Sequence, residues 1–120
     1  MIWLLVAIFG ALGAVTRYVL DRLIMSRLAT DFPIGTLVIN LSGALALGIV
    51  IGLATRHVIA TDVVVAIGDG FIGAYTTFST LTFETLSLVS SGSLTFGGLN
   101  MFGTVIAASG LAYLGIHLAH

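Results

Sequence analysis

Apolar residues fill four long stretches of the chain, and short polar joints separate them. The stretches cover about residues 2–20, 33–55, 63–90 and 96–118. A membrane-spanning helix needs roughly 20 predominantly apolar residues, and four such helices use almost the whole length. The pattern therefore predicts an all-α membrane protein, in which residues 1–120 form a single transmembrane domain of four helices.

The third stretch departs from the pattern of a regular helix. Gly68, Gly70 and Gly73 interrupt its apolar residues, and a run rich in hydroxyl groups follows from Thr76 to Thr82. Glycine and β-branched residues are poor helix formers, so we expect a break near residues 73–76. In a bilayer, unwound backbone is tolerated only inside protein or along a watery path, where its carbonyl groups can bind a cation or neighbouring protein. A kink closed by side-chain hydroxyls remains the alternative.

Small residues predict close packing of the second helix. Ala44, Gly48 and Gly52 continue the helical face on which Thr36 and Asn40 lie four residues apart. Small residues at this spacing let two backbones approach each other closely in a membrane. One face of this helix is therefore expected to be polar at one end and tightly packed beyond it.

The composition favours a membrane environment and excludes several kinds of chemistry. The chain is 58% hydrophobic and 8% charged, and it contains four arginines, no lysine and no cysteine. This leaves too little charge for a water-facing surface, so the lipid bilayer is the expected solvent. The lack of cysteine removes disulfides and thiolate metal sites, and the arginine content argues against nucleic acid as a partner. No catalytic set of side chains can be assembled, so we expect no enzyme.

Three ionisable residues within or beside the spans are candidates for a functional role. A charge at the bilayer centre costs about 2.5–3.5 kcal/mol on insertion scales, which makes Glu84 a candidate functional acid. Asp69 could lie close enough to the surface to be solvated. Arg17, near the end of the first helix, could extend to the membrane interface or face a pore vestibule.

Three motifs together resemble a known family. They are Gly35-Thr-Leu-Val-Ile-Asn40 in the second helix, Gly73-Ala-Tyr-Thr-Thr-Phe-Ser-Thr80 in the third, and Gly13 followed by Arg17-Tyr18 in the first. The chain resembles the fluoride channel family, Fluc or CrcB, over essentially its whole length. The Thr-Thr-Phe-Ser-Thr run is a fairly specific signature.

The resemblance implies an antiparallel dimer of two four-helix subunits, with two narrow fluoride pathways and a structural sodium ion at the shared centre. It implies passive export of fluoride across the plasma membrane. By position, Asn40 corresponds to the pore amide, Phe78 to the first pore phenylalanine, and Gly73 and Thr76 to the carbonyl donors to sodium. Glu84 corresponds to the acid at the end of the pathway. The hydroxyls and amides along the pathway correspond to Thr36, Ser79, Thr80, Asn100 and Thr104.

This assignment agrees with the chemistry of the residues themselves. Fluoride is small and firmly hydrated, so a narrow passage must replace its water with hydrogen-bond donors, which asparagine and threonine supply. The edge of a phenylalanine ring carries the positive part of the aromatic quadrupole and is a mild contact for an anion.

One position departs from the family pattern. A second phenylalanine usually stands three residues after the first, whereas this chain has Leu81 there and its next aromatic residue is Phe83. Either one aromatic contact is missing or Phe83 compensates from another face. The departure raises the alternative of a heteromer, in which a homologous subunit supplies the complete site, beside that of a homodimer.

Two other classes of function remain open from the residues alone. A proton-coupled small multidrug transporter shares the size, the span count and antiparallel pairing, but it needs a membrane-embedded acid in its first helix, and residues 1–20 contain none. A non-transporting assembly protein would need only the small residues that let its helices pack closely.

Overall fold

The computed structural model describes every residue except Ala29, Asp31 and His120, and the described residues form helices and no strand. Helix α1 covers Ile2–Ser26, α2 Ile34–Thr55 and α6 Leu94–Ala119. Between α2 and α6 lies the third span, Thr61–Ser90, which is made of several shorter pieces. All four spans are long and apolar enough to cross a membrane. The all-α membrane architecture predicted from hydropathy is therefore confirmed.

The first helix is longer than the sequence predicted. It continues six residues beyond Leu20 and ends at Ser26, because Asp21 and Arg22 are compatible with a helix and neither proline nor glycine follows until Pro33. Its 25 residues correspond to about 37 Å, more than the roughly 30 Å of bilayer hydrocarbon, so its last turns reach the interface. The extension brings one acid, Asp21, into α1 near its C-terminal end.

The second helix begins at Ile34, one residue after Pro33, and the fourth span begins at Leu94. Aspartate is a common capping residue at the start of a helix, but Asp31, two residues before Pro33, lies outside the described residues. Pro33 occupies the capping position and its side chain makes no capping hydrogen bond.

The third span is irregular in two ways. Helix α3 (Thr61–Val64) leads into a π-helical segment (Val65–Ile72), followed by one turn of α-helix, α4 (Gly73–Tyr75). Thr76 and Thr77 then adopt extended backbone, with φ/ψ of −81°/157° and −148°/121°, before helix α5 (Phe78–Ser90) begins. Gly73 itself is helical, at φ −59° and ψ −39°. The extended residues are thus the two threonines at the end of the stretch that the sequence singled out.

Close backbone contact joins α2 to α6, the most extensive helix pair among the described residues. A Cβ atom added at Gly48 would collide with the backbone carbonyl of Ala112, and one at Gly115 would lie 2.5 Å from the carbonyl oxygen of Leu45. The face of small residues predicted for α2, which includes Gly48, therefore lies against α6. On the other side of the subunit, α1 packs on the π-helical segment.

Candidate functional site

The Asn40 side chain connects α2 to the extended backbone of the third span. The Thr77 amide N–H donates to Asn40 Oδ1 at 2.9 Å, and Asn40 Nδ2 donates to the Thr77 carbonyl oxygen at 3.1 Å. One side-chain amide thus binds both backbone polar groups of one residue, in the manner of a short strand pair. Asn40 is only 9% exposed, so these bonds form in a largely dry setting.

Two backbone amides around the extended residues are diverted from their helical acceptors. In a continuous α-helix the Thr77 N–H donates to the Gly73 carbonyl, but here it donates to Asn40. The Thr80 N–H would donate to the Thr76 carbonyl, but it donates to Thr77 Oγ1 at 3.2 Å, which caps the start of α5. The carbonyl groups of Gly73 and Thr76 therefore lack their usual helical donors.

A cleft of about 350 Å³ opens beside these bonds. Most of its lining is apolar, and its polar groups come from three different spans. Six of its lining residues matter for the site: Asn40, Thr76, Thr77, Phe78, Leu81 and Thr104. The structure thus brings together five of the residues singled out from the sequence, and it adds Thr77.

The three large side chains of α5 have different environments. Phe78 and Phe83 are 70% and 72% exposed on the isolated subunit, whereas Leu81 is 3% exposed. Phe78 and Leu81 line the 350 Å³ cleft, while Phe83 lines a second cleft of about 230 Å³. Phe83 is therefore not positioned to replace an aromatic ring at Leu81 within the same subunit.

A buried polar line on α6 faces the third span. Asn100 is fully buried, and its Nδ2 donates to Thr85 Oγ1 at 3.0 Å. Because the single hydroxyl proton of Thr85 is donated to the Leu81 carbonyl, Thr85 can only accept from Asn100, and the amide orientation is fixed. Asn100 Oδ1 and, one turn further, Thr104 Oγ1 are buried without a hydrogen-bond partner among the described residues. Such groups are costly in a bilayer unless water, an ion or protein satisfies them.

Glu84 lies at the second cleft, away from Asn40. It lines that cleft with Met25, Pro33 and Phe83, and one of its carboxylate oxygens is buried without a hydrogen-bond partner among the described residues. Thr36, which is 2% exposed, lies near this carboxyl group. The polar face of α2 thus extends from Asn40 towards Glu84.

The remaining candidates lie outside the two clefts. Gly73 and Ser79 are exposed on the subunit surface, Thr80 is half-buried and accepts a hydrogen bond from Thr77 Oγ1 at 3.1 Å, and Arg17 is half-buried on α1. Sequence reasoning missed Thr77 and Thr85 as partners of the two asparagines. The Thr76-Thr77 pair in the sequence could have indicated Thr77 as a partner of Asn40. Nothing in the sequence indicated Thr85 as a partner of Asn100, because that contact depends on the packing of α5 against α6.

Four apolar spans, polar groups buried between them and an extended segment within the third define a multi-pass membrane protein with an internal polar site. A family model described as "CrcB-like protein, Camphor Resistance (CrcB)" matches residues 4–116. The chain belongs to this family, as its motifs suggested. In a bacterium this makes it a multi-pass protein of the plasma membrane.

Named relatives cover almost the whole chain. "Fluoride-specific ion channel FluC 1" of Leifsonia xyli subsp. xyli is 42% identical over 118 residues, which are 98% of this chain and 86% of the relative. "Fluoride-specific ion channel FluC 2" of Moorella thermoacetica is 39% identical, with 96% of this chain and 93% of the relative covered. "Fluoride-specific ion channel FluC 1" of Streptomyces avermitilis is also 39% identical, over 99% of this chain and 96% of the relative.

Proposed function

We propose that this chain is the subunit of a fluoride-selective channel, an ion channel and not an enzyme, which lowers cytoplasmic fluoride by passive export. The observation that carries the proposal is the Asn40 cleft in a chain whose relatives are named fluoride-specific channels. A narrow path for a firmly hydrated anion needs donors in an otherwise apolar wall. The cleft has this character.

Counting hydrogen bonds indicates which donors are available to fluoride. One Nδ2 hydrogen of Asn40 is donated to Thr77, which leaves the second for an ion. The Thr104 hydroxyl has no partner among the described residues, and the Thr80 hydroxyl accepts from Thr77 and keeps its own proton. Phe78 adds an exposed ring whose edge can contact an anion. Ser79, Asn100, Thr36 and Glu84 extend this proposed track on either side.

A structural sodium ion fits the Gly73 and Thr76 carbonyl groups. Carbonyl oxygens released from helical hydrogen bonds are typical ligands of sodium in membrane proteins. Here the diversion of the Thr77 and Thr80 amides releases these two groups. Two carbonyls are too few to replace the hydration shell of the ion, so a second subunit would have to supply the rest. The sodium would stabilise the assembly and take no part in fluoride movement.

The exposed features of the third span support the proposal of an antiparallel dimer around this sodium. Gly73, Ser79 and Thr82 are polar or small groups exposed within an otherwise apolar span, and Phe78 lies between them. The Ser79 and Thr82 hydroxyls already have partners within the third span, and small and polar groups on the surface of a span let a second membrane helix approach closely. The partner is either a second copy of this chain or a homologous chain.

The heteromeric alternative rests on Leu81. Its side chain is buried against the cleft in its own subunit and cannot present an aromatic edge to the pathway. The multidrug-transporter alternative is weaker, because the one acid of α1 is Asp21, far from the middle of that helix. An assembly protein without transport activity does not account for the buried polar groups.

Efflux from proteoliposomes tests the proposal. Purified protein is reconstituted into vesicles loaded with fluoride or with chloride, and release is followed with ion-selective electrodes. We expect release of fluoride and none of chloride. Equal release of both ions, or release of neither by the chain alone and with a co-expressed homologous chain, would contradict the proposed function.

A further inference from the structure

Asn40 makes more contact with the third span than a pore amide requires. A pore ligand needs only one free N–H directed at the ion, yet Asn40 uses its oxygen and one hydrogen on a single backbone residue 37 positions away. These two bonds match the donor and the acceptor of Thr77 in the way a neighbouring strand would. The side chain thus satisfies a backbone unit that has left the helix.

The alternative conformation of Thr77 shows what the two bonds achieve. If Thr77 were helical, its N–H would donate to the Gly73 carbonyl and would no longer need Asn40. An extended Thr77 without Asn40 would leave an unpaired N–H and C=O in the membrane, each of which is costly. Asn40 therefore favours the extended state and keeps the Thr77 amide away from Gly73.

We propose that Asn40 is a positioning residue for the cation site, in addition to its role in the fluoride path. By holding Thr77 extended, it leaves the Gly73 carbonyl free to bind sodium. The inference rests on the proposed sodium site. The fluoride path and the sodium site would then share one side chain. Asn40, on α2, would donate a hydrogen bond to fluoride and would also keep the Gly73 carbonyl of the third span free.

Asparagine supplies both the donor and the acceptor that Thr77 needs at this position. An aspartate of the same size keeps the acceptor but loses the donor, and its charge repels the Thr77 carbonyl oxygen. A leucine of similar volume offers neither group. Asn40→Leu removes both bonds, so Thr77 returns to the helix and takes the Gly73 carbonyl. Asn40→Asp keeps an acceptor for the Thr77 N–H and loses only the bond to the Thr77 carbonyl.

The experiment compares thermal stability in sodium with that in N-methylglucamine, at equal ionic strength. A ligand that binds the folded assembly raises its melting temperature, so the wild type should melt higher in sodium. We expect Asn40→Leu to lose this sodium-dependent shift, and Asn40→Asp, which keeps the acceptor for the Thr77 N–H, to reduce it. Thr104→Val is the matched control, because it removes a buried donor of the proposed pathway without touching Thr77. It should lose fluoride flux and keep the sodium-dependent shift.

The possible outcomes separate this inference from the proposed function. No sodium shift in the wild type would refute the sodium site itself, and the positioning role with it. A full shift in Asn40→Leu would refute the positioning role and leave the sodium site standing. If neither Asn40 variant yields folded protein, amide hydrogen exchange at Thr77 in the wild type decides. Protection in both buffers supports the two bonds, and rapid exchange overturns them.

Discussion

At the scale of single residues, the site is defined by how a few hydrogen bonds are distributed. The Asn40 amide, the Thr77 hydroxyl and the Thr85 hydroxyl each hold a neighbouring group in one orientation. Among the described residues, the groups left over include a hydrogen of Asn40, the Thr104 hydroxyl and the Asn100 oxygen. In the proposed channel these groups, together with the Gly73 and Thr76 carbonyls, would determine which ions can be accommodated.

Asn40→Asp should abolish fluoride flux. A carboxylate in the cleft repels the anion, and it no longer offers the free N–H that we assign to fluoride. Proteoliposome efflux measures the effect. Size exclusion of the same variant shows whether a loss of flux comes with a loss of assembly. Flux equal to that of the wild type would contradict the assignment of Asn40 to the pathway.

Leu81→Phe should raise the fluoride flux of the chain reconstituted alone. The cleft beside Leu81 has room for a ring. If the ring edge contributes as much to the anion as it does in an aromatic pair, about 0.5–1.5 kcal/mol, the rate should change by roughly two- to tenfold. Leu88→Phe is the matched control, since Leu88 is also buried on α5 but lines the other cleft. Unchanged flux in a folded Leu81→Phe variant would show that no aromatic contact was missing.

At the scale of helices, the sequence predicted what depends on local periodicity and missed what depends on distant contacts. The four spans and the seam at Gly48 follow from hydropathy and spacing, and both are present. The sequence predicted a break near residues 73–76, and the structure has extended backbone at Thr76 and Thr77. The φ/ψ values of these two threonines are open to any residue, so no glycine is needed for them, and the two hydrogen bonds between Asn40 and Thr77 stabilise the extended backbone at this position. A contact between a side chain and a backbone 37 residues away leaves no periodic signal.

Gly48→Ala should destabilise the subunit by about 1–3 kcal/mol, the usual cost of overpacking. The new methyl group would collide with the Ala112 backbone, which cannot move without displacing α6. Gly98→Ala serves as the control, because a Cβ at Gly98 meets nothing within 4 Å and alanine favours the helix. Thermal unfolding in detergent should show a lower melting temperature for the first variant alone. Equal melting temperatures for both would contradict the close packing of α2 on α6.

At the scale of the whole molecule, the subunit is shaped to cross a membrane but leaves polar groups on its sides. Its longest dimension of 48 Å exceeds the roughly 40–45 Å of a bilayer with its headgroups. Exposed arginines lie at both ends. Arg22 and Arg27 lie at one end, while Arg56 at the other end donates to the Ala119 carbonyl at 3.2 Å. Gly73 and Ser79 remain exposed between the two ends, where we propose that a second subunit covers them.

Gly73→Leu should disrupt the dimer and spare the fold of the subunit. Within the subunit the nearest atom to a Cβ at this position is the Gly68 carbonyl oxygen at 3.7 Å, which is ordinary contact. The added side chain would instead project from the surface on which we place the partner and the sodium ion. Size exclusion and cross-linking should show loss of the dimer, with helical circular dichroism retained. A normal dimer would argue against this surface as the interface.

Membrane orientation provides the final test, because an antiparallel homodimer needs the chain inserted in both directions. The exposed arginines differ by a single charge between the two ends, so the positive-inside rule imposes only a weak bias. The chain has no cysteine, so single cysteines report orientation cleanly. Ser91→Cys and Val58→Cys mark exposed joints at opposite ends of the helices. With a membrane-impermeant thiol reagent, we expect about half of each variant to be labelled from outside, and the rest only after the membrane is opened. Complete labelling of one variant and none of the other would fix a single orientation. That result would exclude the antiparallel homodimer and require a homologous chain in the opposite orientation, consistent with the departure at Leu81.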